Sequence, residues 1–336
     1  MTHDLEDVRR LAEKVRENLQ KCARDPDVDA VHDTRTGTRR LQATLEDRVR
    51  KLPVGDPAEP VRAAATELLR QLKKIRRAAG PVRDLDVHRR LLEKRMERAL
   101  DPGAERQDAN ARAEKEEAPP RPGEPDVLET AVAGRRASGL GQQADDLDTW
   151  LKHKRNHLAE ELQDQAGGML AKLDKRLEDF EAALRVRRGR AARKKPPGVV
   201  ALDSFARLAT EMQLLDAGNL HDFRKGAKKA RYVAELAAHG DAHAQQVGAT
   251  LKKLQDEIGD WHDWLVLAEE AHTALGDGAA ELLALLEAER EKHFIGAMKT
   301  AAKLRGRLMG EWLAVGQGTA YRVQRSARAG ASRQAR

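Results

Sequence analysis

Residues 30–46 read AVHDTRTGTRRLQATLE, and residues 219–235 read NLHDFRKGAKKARYVAE. Setting His32 on His221 also aligns Asp33 with Asp222, Arg35 with Arg224, Gly37 with Gly226, Arg39 with Lys228, Arg40 with Lys229 and Glu46 with Glu235, without a gap. A second pair follows each copy. LKKIRRAAGPVRDLDV from Leu72 resembles LKKLQDEIGDWHDWLV from Leu251, matching Lys73 to Lys252, Gly80 to Gly259 and Asp84 to Asp263. Two matches in the same order predict a duplicated helical unit.

The first segment of each copy is amphipathic at helical spacing. At 100° per residue, offsets 0, +3, +7 and +10 from the histidine fall on one side of a helix. In the second copy these are His221, Arg224, Lys228 and Arg231, with Lys225 beside them and Lys229 at the edge. In the first they are His32, Arg35 and Arg39, with Arg40 at the edge and Gln42 in the place of Arg231. The opposite side carries Val31, Thr34, Leu41 and Leu45, or Leu220, Phe223, Ala230 and Ala234.

A basic stripe of two turns or more, roughly 10–15 Å at ~1.5 Å per residue, suits an extended, repetitively charged anion better than a small metabolite. Arg offers phosphate a planar fork, Lys a mobile point charge, and His a donor whose charge depends on pH. Gly37 and Gly226 each cost their helix about 1 kcal/mol relative to Ala, which predicts close packing or close ligand approach there. A single such stripe is ordinarily a solvated face, and Glu46 and Glu235 are placed to pair with it. Recurrence of the whole pattern in two distant segments turns the reading toward function.

The rest of the chain follows the same period. Helices are expected near 4–23, 27–52, 57–79, 82–99, 145–186 (broken at Gly167-Gly168), 198–217, 219–239, 241–259, 261–275 and 278–314. Gly80-Pro81 reads as a stop and restart. No run of strict alternation predicts a strand, so the fold class is all-α. Aromatic residues make up only 3% of the 336, leaving a core of Leu, Ala and Val that suits helices. Residues 101–143 hold Pro102, Pro119, Pro120, Pro122 and Pro125 and few large apolar residues, and read as a flexible insertion. From Gly318 a basic tail carries Arg322, Arg325, Arg328, Arg333 and Arg336, also read as flexible.

Composition excludes several classes. Lys and Arg number 62 against 55 Asp and Glu, giving a net charge of +7, which favours anionic partners. MTHDLEDVRR at the start has no apolar stretch of a secretory signal, and no segment approaches the ~20 apolar residues of a membrane helix. The single cysteine, Cys22, rules out an internal disulfide framework and a Cys-based zinc site, and reads as a small buried hydrophobe. The expectation is a cytoplasmic protein without a membrane partner.

In these motifs the chain resembles the CHAD domain, the conserved-histidine α-helical domain. The resemblance rests on His32-Asp33-x-Arg35-x3-Arg39-Arg40, on His221-Asp222-x-Arg224-x3-Lys228-Lys229-x-Arg231-Tyr232, and on the Gly-x-x-Arg/His-Asp segments at Gly80 and Gly259. It implies two four-helix-bundle-like subdomains related by pseudo-two-fold symmetry, with the histidine helices facing across a basic channel. It also implies binding of inorganic polyphosphate, and association with polyphosphate granules and their proteins. On this reading residues 1–317 are one domain, with a first repeat at about 1–100, the insertion at 101–143 (longer than usual for the family) and a second half at 144–317. Residues 318–336 are the tail. Nothing resembles the Glu-x-Glu-x-Lys strand of the triphosphate-tunnel domain that often accompanies the family, so a stand-alone protein is expected.

The expected ligand contacts are His32, Arg35, Arg39, Arg40, His221, Arg224, Lys225, Lys228, Lys229 and Arg231, with Lys73, Arg83 and Lys252 in second rank. No catalytic residue, metal or cofactor is expected. Asp84, Asp86 and Asp263 are open to a metal reading, but each is expected in the first turn after a helix stop, where a carboxylate caps free N–H groups. His88, His239, His243, His262 and His272 lack a shared metal spacing and read as surface or packing histidines. Arg185 to Lys195, RVRRGRAARKK, reads equally as an extension of the anion path or a solvated helix end. The alternatives to polyphosphate binding are a polyphosphate- or triphosphate-processing enzyme and a nonspecific nucleic-acid binder, the latter short of aromatics for base stacking.

Overall fold

The computed structural model describes residues 2–50, 52, 58–100, 127–186, 197–235 and 241–334. Eight α-helices account for nearly all of them: α1 Thr2–Cys22, α2 Val28–Arg50, α3 Glu59–Leu100, α4 Val127–Val186, α5 Pro197–Glu211, α6 Leu220–Glu235, α7 Ala242–Leu275 and α8 Ala280–Gln334. A 3₁₀ turn, Gly276–Ala279, joins the last two, and no strand occurs among the described residues. No helix among them is long and apolar enough to cross a membrane.

Three expected breaks are absent. α3 runs through Gly80-Pro81 although Pro81 lacks the N–H that the Arg77 carbonyl needs, ordinarily a cost of ~3 kcal/mol or more. The apolar face decides the matter, because Leu72, Ile75, Ala79, Val82 and Leu85 are buried in one continuous stripe across the proline. α4 likewise passes Gly167-Gly168 between buried Ala166 and Leu173, and α7 passes Gly259-Asp260 between buried Ile258 and Trp261. Summed burial, at ~1.5–3 kcal/mol for each large side chain, overrides local propensity. α4 starts at Val127, inside the segment set apart by composition, and α8 continues over 318–334. The basic run at 187–195 and His239 lie outside the described residues.

Three apolar clusters organise these helices. One packs α1, α2 and the first part of α3 with the last part of α4, around Leu19, Leu41, Leu68 and Phe180. A second packs α5, α6 and the first part of α7 with the middle of α8, where Phe205 meets Phe223 edge-on at 5.9 Å. The third lies between them and joins the remaining halves of the four long helices through Leu85, Leu147, Trp264 and Leu286. The long helices thus belong to an end cluster and to the centre at once, which fixes the short helices α2 and α6 relative to each other. Cys22 is buried in the first cluster, where its surroundings raise the thiol pKa.

Candidate functional site

Side-chain caps place both histidine helices. The Asp27 carboxylate accepts from the Ala30 backbone N–H at 2.7 Å, so α2 starts with His32 in its second turn. Before α6, Asp216 and Asn219 bond reciprocally, each backbone N–H to the other's side-chain oxygen at 3.0 Å, and the Phe223 N–H reaches the Asn219 carbonyl. From these starts the apolar stripes turn inward: Val31, Thr34, Leu41 and Leu45 are buried on α2, and Leu220, Phe223, Ala227 and Ala230 on α6.

The basic stripes turn toward each other. They line one cleft of about 390 Å³, to which α2 brings His32, Arg35 and Arg39, and α6 brings His221, Arg224, Lys225 and Lys228. α3 adds Arg83, Asp84 and His88, and α7 adds His262 and Asp263. Arg40 and Lys229, at the stripe edges, are exposed and outside the lining. Arg231 is also outside it, with Nε 3.0 Å from Glu235 and its guanidinium 5.0 Å from the Tyr232 ring. Lys73 and Lys252 are exposed and away from the cleft, Lys252 meeting Asp256 at 2.5 Å.

The two glycine repeats do different work. Gly37 and Gly226 are packing positions: a Cβ there would stand 3.0 Å from Val15 Cγ2 and 2.5 Å from Leu208 Cδ1, respectively. Gly259 serves the cleft directly, since a Cβ would come within 2.5 Å of Arg224 Nη2, and Arg224 Nε donates to the Gln255 carbonyl at 3.2 Å. Its counterpart Gly80 supplies a carbonyl, which accepts from Arg35 Nη1 at 2.9 Å, while a Cβ there would meet nothing within 4 Å. Arg35 Nη1 also donates to Asp84 Oδ1 at 2.6 Å.

That pairing corrects the capping expectation for the aspartates. None of the three follows a helix stop, because α3 and α7 are continuous. Asp84 pairs with Arg35. Asp86 is buried and accepts from Arg155 Nε at 3.1 Å, while Arg155 Nη2 holds the Pro26 carbonyl. Asp263 stands 3.8 Å from His262 Nδ1. Among the described residues no three His, Cys, Asp or Glu side chains cluster as a metal site.

Like charges crowd the cleft and shift its titrations. Burial, then Arg39, Arg224, Arg231 and Arg35, push the Lys228 ammonium down to about 7. Burial, reinforced by His262, Lys225 and Arg224, holds His221 at about 4 despite Asp222. Burial and Arg83 lower His32. Burial lowers Arg39, with Arg35, Arg76 and Arg224 adding to it and Tyr232 opposing it.

Two contributors were not among the expected contacts. His262 is a site histidine, not a surface one: its ring stacks on His221 at 4.0 Å. The signal was its alignment with Arg83. Arg76 sits in the same field as Arg35, with Nη1 buried and without a hydrogen-bond partner. It lies seven residues before Arg83, on the same face of α3. His88 keeps its packing role, buried with Nδ1 2.7 Å from Glu270 Oε2.

Comparison with known proteins adds a family. The family model described as CHAD domain matches residues 6–272, a span that contains every residue of the cleft. Among solved structures, the chain is similar to "Crystal structure of the CHAD domain from the plant Ricinus communis", with 19% identity, 88% of each chain covered and a TM-score of 0.49. No curated protein matches the sequence.

Proposed function

The chain belongs to the CHAD domain family, and from that premise we propose that its cleft binds inorganic polyphosphate without altering it chemically. The observation that carries the reading is the facing of two basic stripes across one cleft, with Arg39 and Arg224 close enough to Lys228 to lower its pKa. The cleft sets Arg35, Arg39, Arg83, Arg224, Lys225 and Lys228 against only Asp84 and Asp263, and a polyanion supplies the missing counter-charge. These cations pair with phosphate oxygens, while His32, His221 and His262 offer further donors from the same lining. Asp84 is engaged by Arg35, which supports binding over hydrolysis.

Two assays test this. Polyphosphate should bind with a steep salt dependence, because neutralising phosphates releases counterions. Duplex DNA or RNA should compete poorly at equal phosphate concentration; equal competition would favour the nucleic-acid reading. Orthophosphate released from polyphosphate with a divalent cation present, and lost in Asp84→Asn, would favour the enzyme. The proposal extends to association with polyphosphate granules in the cytoplasm, for which a tagged chain should colocalise with granules and lose that location when the cleft cations are reversed.

A further inference from the structure

α3 carries cations away from the cleft as well as into it. Arg76 stands in the field of Arg35 and Arg39. At 100° per residue, Lys73 lies about 60° round the helix from Arg76, Arg77 about 100° and Lys74 about 160°. Arg77 and Lys74 open onto a second groove of about 630 Å³, whose other wall is α4, with Asp164, Gly168, Met169 and Lys172, so three cations face one carboxylate. Gln71 closes its floor, donating Nε2 to the Met169 carbonyl at 2.9 Å.

Two features leave this groove open to an anion. No ion pair joins Lys73, Lys74, Arg77 or Lys172 to a described residue. Farther along the same two helices the cations are matched: Arg70 and Arg176 share Glu67, and Arg176 also meets Asp179 at 3.3 Å. The glycines are the second feature. A methyl group at Gly167 or Gly168 would touch nothing within 4 Å, and neither has a positive φ, so neither packing nor backbone conformation asks for glycine. Gly168 instead leaves the α4 wall open to the groove.

The geometry points to a cationic track in which the α3–α4 groove is a second site for the phosphate polymer. It is reached from the cleft along the arc Arg76, Lys73, Arg77, Lys74. The inference rests on the polyphosphate reading of the cleft and adds a selectivity to it. A short oligomer occupies one site at a time, whereas a long chain engages both and gains from the raised effective concentration at the second.

The test compares tripolyphosphate with long-chain polyphosphate, by calorimetry at one salt concentration. Three proteins are needed: the natural chain, Lys74→Gln/Arg77→Gln/Lys172→Gln, and a charge-matched control, Lys253→Gln/Lys299→Gln/Lys303→Gln, whose lysines are also exposed. The groove variant should lose about tenfold or more in long-chain affinity, as expected when bivalency is removed, and keep its tighter tripolyphosphate site. The control should keep both. Unchanged long-chain affinity in the groove variant, or an equal loss in the control, overturns the track while leaving the cleft standing. If the natural chain binds neither polymer, the cleft reading falls and takes the track with it.

Discussion

The α2–α3 wall and the α6–α7 wall bring matching residue types to the cleft but neutralise them differently. On the first wall Arg35 gives one nitrogen to both Asp84 and the Gly80 carbonyl, so its charge is largely answered within the protein. On the second, Arg224 lies across Gly259 and reaches a neutral carbonyl, while Asp263, aligned with Asp84, sits beside His262 instead. On this wall burial, with Arg39 and then Arg224 beside it, holds Lys228 at about 7, and burial with His262 holds His221 at about 4. The first wall is therefore held in place in advance. An incoming anion relieves repulsion on both walls, and Lys228 on the second brings that relief into the range near pH 7.

Breaking the first wall should have the largest single effect. Arg35→Gln removes a cation and leaves Asp84 facing the ligand, so affinity should fall by one to two orders of magnitude, given ~1.5–3 kcal/mol for a charge-assisted hydrogen bond. Adding Asp84→Asn should recover part of the loss, and calorimetry on the pair measures it. No recovery would mean that Asp84 does not shield the first wall.

The pH profile should locate the second wall. An anion raises the pKa of a nearby ammonium, so binding takes up a proton wherever Lys228 is neutral in the free protein. Affinity should then be insensitive to Lys228 below about 7 and fall as pH rises above it, by at most tenfold per unit. Lys228→Arg, which stays charged, should flatten that fall. His221 contributes with the same sign at lower pH, tightening binding as pH drops from its bound-state value toward about 4, and His221→Asn should remove this acid limb.

Smaller effects should separate the two aligned glycines. Gly259→Ala pushes the Arg224 guanidinium aside and should weaken binding several-fold. Gly80→Ala meets open space and should leave affinity unchanged. It should also raise stability to thermal unfolding, by up to ~1 kcal/mol from helix propensity alone. Equal behaviour of the two variants would erase the distinction between the walls.

Much of this was legible in the sequence, for a physical reason. Helical period and a Leu- and Ala-rich composition report on burial, and burial determined where helices ran, even through Pro81 and Gly167-Gly168. The stops read at those residues fail because local propensity costs a few kcal/mol and a continuous buried stripe outweighs it. At the site, His32, Arg35, Arg39, His221, Arg224, Lys225 and Lys228 are brought together as their shared helix face requires. Arg40 and Lys229 fall at the stripe edge, about 80° round from the histidine by helical geometry, and so reach solvent. Arg231 lies past the end of the lining, where Glu235 one turn on meets it. Arg76 and His262 belong to neighbouring helices, and their approach depends on how α3 and α7 cross α2 and α6, which no single-helix period contains.

The most direct test is long-chain polyphosphate binding by calorimetry at fixed salt, with duplex DNA as the control ligand. The natural chain is compared with one carrying Arg35→Glu, Arg39→Glu, Arg224→Glu and Lys228→Glu, shown by circular dichroism to keep its helicity. Tight binding that prefers polyphosphate to DNA and collapses in the folded variant is the predicted result. Undiminished binding by that variant would contradict the shared cleft and make its two stripes solvated faces.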